Sequence, residues 1–512
     1  MKILNNDEIR SLEQQTVNDG LTTVHDMTER AGEAISHTMT ERWDAETPVY
    51  VFAGWGGNGA DALCTARHLA QEGRQVHVYL FNVKNTKLST ECRRQRDLLK
   101  THGGDNVTLT EITGREPFTW PEIDSYNVIV DGLFGSGLKG KMPTSFQMIV
   151  KNINDTGSPI VAVDMPSGLH SDDNTGTSAD NVINATLTLA ETAPRPVFMF
   201  SDYARAVGEW RVVDVGVSAE ALRDCPYTYY FMLPATVGTL LQHRGQFTSK
   251  ADYGSALLCA GSTGMYGAAV LAAAGALRAG AGKVTVHSAA NGMTVLQTAQ
   301  PCAMFSADDN DDMITDMKDG LERYTAVAVG PGIGTHAATL AALEGLLKAS
   351  NAAGRPLIVD ADALNCIAEK PILLNYLPVL SVLTPHPGEF DRMFGESGSD
   401  SERLARALDI AAYHKVIIVL KGRFTAIVRP DGKVFFNASG TPAMATGGSG
   451  DVLTGVIAGL MAQGYKPEKA SFMAVCIHGV AGQLAAAVHG EYGVTAMDIA
   501  DNIGRAIKKI QR

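Results

Sequence analysis

The sequence predicts an α/β protein of two domains, each built on a buried, largely parallel sheet. Three observations predict it. The 512 residues exceed what one ordinary core serves and suggest two to four domains. From Pro48 onward, short β-branched runs alternate with glycine bends and helical stretches, the pattern of βαβ units. The alternation breaks at "DCPYTYYFMLPAT", where proline and clustered tyrosines mark a boundary, so the expected domains are residues 1–228 and 229–512.

The elements follow in order. The first forty-odd residues read as helical, since "MTERAGEAISHTM" spaces apolar and small residues at helical intervals. Strands are expected at "PVYVFAG", "QVHVYLF", "NVIVDG" and "PIVAVDMPSG", with helices at "DALCTARHLAQEG" and "SFQMIVKNIND". "TLTLA" and "EWRVVDVG" add later strands near Thr186 and Trp210. The second series runs "SALLCAG", "KVTVHSA", "AVAVGPGIG", "PLIVDADALN", "SVLTPHPGEF" and "VIIVLKG". "FTAIVRPDGKVFFNASG" reads as a hairpin about the turn "RPDG", and three helices close the chain. No internal repeat joins the halves.

Composition narrows the function. With 45% hydrophobic and 19% charged residues the chain is globular. A net charge of −12 without a basic stripe argues against a nucleic-acid or membrane-surface role. Cys64, Cys92, Cys225, Cys259, Cys302, Cys366 and Cys476 form no CxxC pair, so neither a zinc site nor a disulfide framework is indicated. The N-terminus lacks an apolar leader core, and "GAAVLAAAGALRAG" is too short to span a bilayer. A soluble, cytoplasmic protein is expected.

Ligands of open α/β sheets lie beyond the carboxyl ends of the strands. In the first half, three loops there are expected to meet: "GWGGNGAD" (Gly54–Asp61), "DGLFGSGLKG" (Asp131–Gly140) and "DMPSG" (Asp164–Gly168). They offer Asn58, Asp61, Asp131, Asp164 and Ser167, an oxygen set suited to a cation or to ribose hydroxyls. Taken singly, each is equally an ordinary turn with capping aspartates. In the second half "GSTGMYGAA", "GPGIG" and "TPHPGEF" follow strands, and His386 between two prolines is expected to touch a ligand. Lys421 at a strand end suits a phosphate or solvent alike, and Asp360 and Asn365 read as ligand contacts or loop caps. The stretch "ATGGSGDVLTG" carries the sharpest signal. Amides of Gly447, Gly448, Ser449 and Gly450 at a helix start attract an anion. Asp451, which that anion would repel, is left to act on a neighbouring hydroxyl or water. Together these pieces look like an adenine-nucleotide site.

The order "GS…YGAA", "VGPGIG", "DADALN", "TPHPGE", "LKG", "GGSGDVLTG" resembles the ADP-dependent NAD(P)H-hydrate dehydratases of the ribokinase-like superfamily. "RAGEA", the "GxGxNGxD" loop, "DGLFGSGL" and "DMPSGL" resemble the NAD(P)H-hydrate epimerase domain, a Rossmann-like three-layer α/β/α fold. Joined, they are similar to the bifunctional NAD(P)H-hydrate repair enzymes, which epimerise the R and S hydrates NADHX and NADPHX and dehydrate the S form at the expense of ADP. The resemblance implies potassium on Asn58, Asp131 and Ser167, and hydrate against Gly57, Asn58, Gly59, Ala60, Asp61, Gly135, Ser136, Gly137, Leu138, Lys139, Gly140, Lys141 and Asp164. In the second half it implies hydrate near Ala268, Gly334, His386 and Asp451, and ADP with magnesium along Lys421, Gly422, Arg423, Phe424 and Thr425 to Gly450. Asp451 and Asp164 are the expected catalytic acids or bases, and a homo-oligomer is expected.

One departure stands out: the family's "GxGNNGGDG" loop reads "GWGGNGADA" here, with Gly57 for an asparagine and Ala60 and Ala62 for glycines. A methyl at Ala60 removes backbone freedom, and the missing amide removes a ligand contact. Two alternatives follow, a ribokinase-like small-molecule kinase fused to a binding domain, and an N-terminal half that binds without catalysing.

Overall fold

The computed structural model describes residues 1–83, 87–114, 118–138, 140–317 and 320–511. The chain forms two compact units, Lys2–Tyr227 and Thr228–Arg512 with Met1.

The first unit opens with β1 (Lys2–Ile3) and the helices Asn6–Asn18 and Val24–Thr40. A capping box starts the first helix, Asn5 accepting from the Glu8 amide and Glu8 from that of Asn5. Then come β2 (Val49–Ala53), β3 (Val76–Phe81), β4 (Val107–Ile112), β5 (Val128–Gly132), β6 (Ile160–Val163), β7 (Leu187–Glu191) and β8 (Glu209–Val213). Their order is β4-β3-β2-β5-β6-β7-β8, every neighbouring pair parallel. Alternate residues feed opposite cores. Val128 and Val130 pack with Ala31, Ile35 and Leu63 of one helical layer, while Ile129 packs with Phe146, Val150 and Ile153 of the other. That is a three-layer α/β/α arrangement, and its order reverses between β2 and β5, the switch point where ligands bind.

The second unit holds β9 (Tyr229–Met232), β10 (Ser255–Cys259), β11 (Lys283–Ser288), β12 (Met304–Ala307), β13 (Ala326–Val329), β14 (Leu357–Val359), β15 (Val382–Leu383), β16 (Ile417–Leu420), β17 (Ala426–Val428) and β18 (Val434–Asn437). They run β9-β18-β17-β16-β15-β14-β13-β10-β11-β12. Only β17 opposes its neighbours, through the expected hairpin, where Arg429 N–H donates to Lys433 O at 2.9 Å. The switch point lies between β10 and β13. The helices Tyr266–Arg278 and Ser449–Ala462 approach so closely that a Cβ on Gly455 would strike the Ala272 carbonyl. The helix Pro467–His489 is long and apolar enough to cross a membrane by length and composition, yet 72% of its most apolar window is buried in this core.

Three local expectations change. "TYYFM" contains β9, paired in parallel with β18; a partner some two hundred residues away leaves no local pattern to read. The strands β4 and β12 were not expected, because edge strands alternate with solvent and carry no continuous apolar run. And "GNGAD" is not loop but the first turn of the helix Gly57–Gln71, which opens at Gly56 without a side-chain cap.

Candidate active sites

At the β2/β5 switch point a cavity of about 580 Å³ opens. Its wall joins the turn after β2, the loop after β5 and the ends of β6 and β7, with Glu13 and Thr28 from the N-terminal helices. The three expected loops do meet. Ser167 Oγ donates to Asp131 Oδ1 at 2.6 Å, its amide donates to Oδ2 at 2.8 Å, and its Oγ accepts from Phe134 N–H at 2.8 Å. A Cβ on Gly135 would stand 2.5 Å from Asn58 Oδ1, so the loop after β5 also lies on Asn58.

Asp131 and Ser167 are fully buried, and burial pushes Asp131 up to about 6 against the pull of its Ser167 bonds. Asn58 Nδ2 is buried without a partner. In the flipped amide, equal in shape, Oδ1 takes that place. A buried acid and an unsatisfied amide in an all-oxygen set fit a hard cation.

Asp164 follows β6 with φ +60°, the left-handed region. Its Oδ2 accepts from Ser136 N–H at 3.1 Å and its Oδ1 pairs with Arg195. Other acids crowd the cavity. Burial, then the charge of Asp164, pushes Glu13 up to about 7. Burial likewise carries Asp61 to about 8 against a Thr28 hydrogen bond, and raises Glu191 well above the usual range. Of the expected contacts, Gly57, Asn58, Asp61, Gly135, Ser136, Gly137, Leu138, Lys141 and Asp164 line the cavity, and Gly59, Ala60 and Gly140 do not; Lys139 lies outside the described residues. Gly59 instead seats the helix, because a Cβ there would strike the Gly54 carbonyl.

The altered loop is accommodated. Ala60 and Ala62 are fully buried in the first turns of the helix, so the Ala60 methyl sits in ordinary helical backbone. Sequence reasoning does not reach Glu13, Glu191 or Arg195. Only the prolines flanking Arg195 signal a held side chain.

In the second unit the helix Ser449–Ala462 starts after Gly448 at φ +87°, with no side-chain cap. Lys421, just beyond β16, donates to Asp360 Oδ1 at 2.8 Å, and Thr454 Oγ1 donates to Oδ2 at 2.6 Å. A Cβ on Gly450 would lie 3.1 Å from Lys421 Nζ, so cation, uncapped helix start and Asp451 share one place. Burial, then the Asp360 carboxylate, pushes Asp451 up to about 7, with Lys421 opposing. Burial lowers Lys421, but Asp360 and Glu389 outweigh it and its pKa is raised.

Gly334 N–H donates to Asp362 Oδ2 at 2.9 Å, and a Cβ on Gly332 would stand 3.0 Å from that of Ala268, so these loops adjoin. Asn365 accepts from Arg392. His386 is a cap: Nδ1 accepts from the Gly388 and Glu389 amides at 3.1 and 3.3 Å, and its side chain is half exposed. The Gly422–Thr425 turn is closed by Thr425 Oγ1 donating to Gly422 O at 3.1 Å, and Arg423 stacks over Phe424.

Elsewhere, Glu29, Cys64 and His68 lie within metal-binding reach of one another, but Arg67 Nη2 already sits 2.6 Å from Glu29 and 3.3 Å from Cys64 Sγ.

A family model described as NAD(P)H-hydrate dehydratase matches residues 256–505, and one described as YjeF-related protein N-terminus matches residues 24–197. The chain is 33% identical over 482 residues to the bifunctional NAD(P)H-hydrate repair enzyme Nnr of Moorella thermoacetica, spanning 91% of this chain and 88% of that one. The chain belongs to the bifunctional NAD(P)H-hydrate repair enzymes. The Escherichia coli member of this family is 30% identical, over 98% of this chain and 93% of its own. Among solved structures, the ADP/ATP-dependent NAD(P)H-hydrate dehydratase of Bacillus subtilis, co-crystallised with ATP/Mg2+, is 31% identical over 55% of this chain and 98% of its own, with a TM-score of 0.47. The two family matches fall in separate units, the first unit holding the cavity and the second the cluster of Asp451, Lys421 and Asp360. Glu13 precedes the matched N-terminal region.

Proposed function

We propose that the protein repairs hydrated nicotinamide nucleotides. The first unit interconverts the R and S forms of NADHX and NADPHX, and the second returns the S form to NADH or NADPH while consuming ADP. The observation that carries this reading is the meeting of Asp451, Lys421 and an uncapped helix start in one member of this family.

The hydrate bears its hydroxyl on the ring carbon beside the nitrogen. Asp451, poised near neutrality, takes the hydroxyl proton, and the terminal phosphoryl of ADP passes to that oxygen. The nitrogen lone pair expels phosphate, and loss of a proton from the adjacent carbon restores the ring. The products are AMP, phosphate and the reduced nucleotide. Amides from Gly447 to Gly450 and the Lys421 ammonium steady the phosphates, the Lys421–Thr425 segment carries the nucleotide, and Ala268, Gly334 and His386 border the hydrate. Magnesium arriving with ADP would screen its phosphates, in keeping with the hard oxygens of Asp360, Asp362 and Glu389 around Asp451. In the first unit Asp164 acts on the carbon being inverted, and potassium on Asn58, Asp131 and Ser167 would fix the loops that bear the hydrate.

Incubating the whole protein with mixed hydrate epimers, with and without ADP, tests the proposal. ADP should drive both epimers to reduced nucleotide, and without it only interconversion should appear. Transfer of the γ-phosphate of ATP to an alcohol, with the hydrates untouched, would favour the kinase alternative.

A further inference from the structure

Arg195 is the bulkiest fully buried side chain among the described residues, 1% exposed. A guanidinium taken out of water is tolerated only when paired and hydrogen-bonded, and Arg195 spends its donors on one small region. Nη2 pairs with Asp164 Oδ1, Nη1 donates to the carbonyls of Glu191 and Ala193, and Nε lies 3.4 Å from Asn6 Oδ1.

Those two carbonyls bracket Thr192, whose φ is +66°, and Asp164 has φ +60°. Two non-glycine residues thus sit in the left-handed region just past adjoining parallel strands, β6 and β7. Each costs on the order of 1 kcal/mol or more and persists only where the surroundings hold it. Arg195 grips both. With Oδ1 engaged by Arg195 and Oδ2 receiving the Ser136 amide, the Asp164 carboxylate is locked at the cavity wall among Glu13, Asp61 and Glu191.

We propose that Arg195 is the positioning residue of the epimerase site: by holding Asp164 Oδ1 and the strand end beside it, it aims Oδ2 at the carbon that is inverted. The inference rests on the epimerase reading of this cavity. Arg195 touches no substrate and acts through Asp164.

The test uses the full chain with Arg195→Met, Arg195→Lys, Asp164→Asn and the double variant Arg195→Met/Asp164→Asn. Hydrate interconversion is followed as kcat and KM, with ADP-dependent dehydration as an internal check. Arg195→Met should lower kcat about 100-fold with KM within about threefold, because a misaimed group costs rate rather than binding. Arg195→Lys should recover at least about tenfold of that loss. The double variant should be no slower than Asp164→Asn alone, since one residue works through the other. Losses that multiply in the double variant, equal changes in KM and kcat, or no recovery with lysine would each overturn the proposal. If the wild-type chain fails to interconvert the hydrates, the epimerase reading falls with it; if it interconverts them indifferently to Arg195, this inference alone falls.

Discussion

Lys421 and Asp360 form an ion pair at 2.8 Å, with Asp360 buried at 1% exposed and the Lys421 side chain at 22%, beneath the helix start that carries Asp451. Thr454 holds the other Asp360 oxygen, so the end of β14, the end of β16 and the helix Ser449–Ala462 are tied at one point.

Lys421→Met leaves Asp360 uncompensated. Breaking such a pair should cost about 3 kcal/mol, read as a lower unfolding midpoint. Because Lys421 opposes the rise of Asp451, the acid limb of dehydration should also move to higher pH. An unmoved limb would separate Lys421 from Asp451.

Asp451→Asn keeps shape and removes the proton acceptor. Dehydration should fall by about 1,000-fold, within the span of a lost acid–base group, while hydrate interconversion by the other unit stays within about twofold of wild type. Retained dehydration would sink the role given to Asp451.

Glu13, Asp61 and Asp131 are raised to about 7, 8 and 6. Between the usual carboxylate range near 4 and those values, the folded state keeps protons that the unfolded chain has released, so stability falls as pH rises. Calorimetry of the full chain should show the midpoint of the first unit dropping by several degrees from about pH 5.5 to about pH 8. Potassium should restore part of the loss at the upper pH by binding the ionised Asp131. Choline should not, nor should potassium in Asp131→Asn.

The two glycines of the first loop differ. A Cβ on Gly57 meets nothing within 4 Å, whereas one on Gly59 strikes the Gly54 carbonyl. Gly57→Asn, which restores the family's residue, should leave stability within about 0.5 kcal/mol. Gly59→Ala should cost about 2 kcal/mol through forced backbone movement and depress interconversion. Equal effects from the two would show that the turn relaxes freely.

Much of this was legible locally. The buried strands β5 and β6 show as unbroken apolar runs because both faces are covered. "GGSGD" announces its helix start because glycine frees the backbone and an acid opens the first turn. The edge strands β4 and β12 were not legible, nor was β9, whose partner lies far along the chain. His386 carries a use that the stiff loop does not announce: Nδ1 caps the helix Pro387–Phe394, and the ring stays half exposed beside it.

Short-range chemistry therefore named the α/β class, the loops beyond the strand ends and most of the polar groups they carry, since periodicity and turn residues act within a few positions. Which acids crowd Asp164, which cation grips it and which carboxylate anchors Lys421 came from folding. Arg195 meets Asn6 across 189 positions and Asp164 across 31, and Lys421 meets Asp360 across 61. Burial sets the charge of Asp451, Glu13 and Asp61, and burial exists only once distant strands have paired and the helices have closed over them.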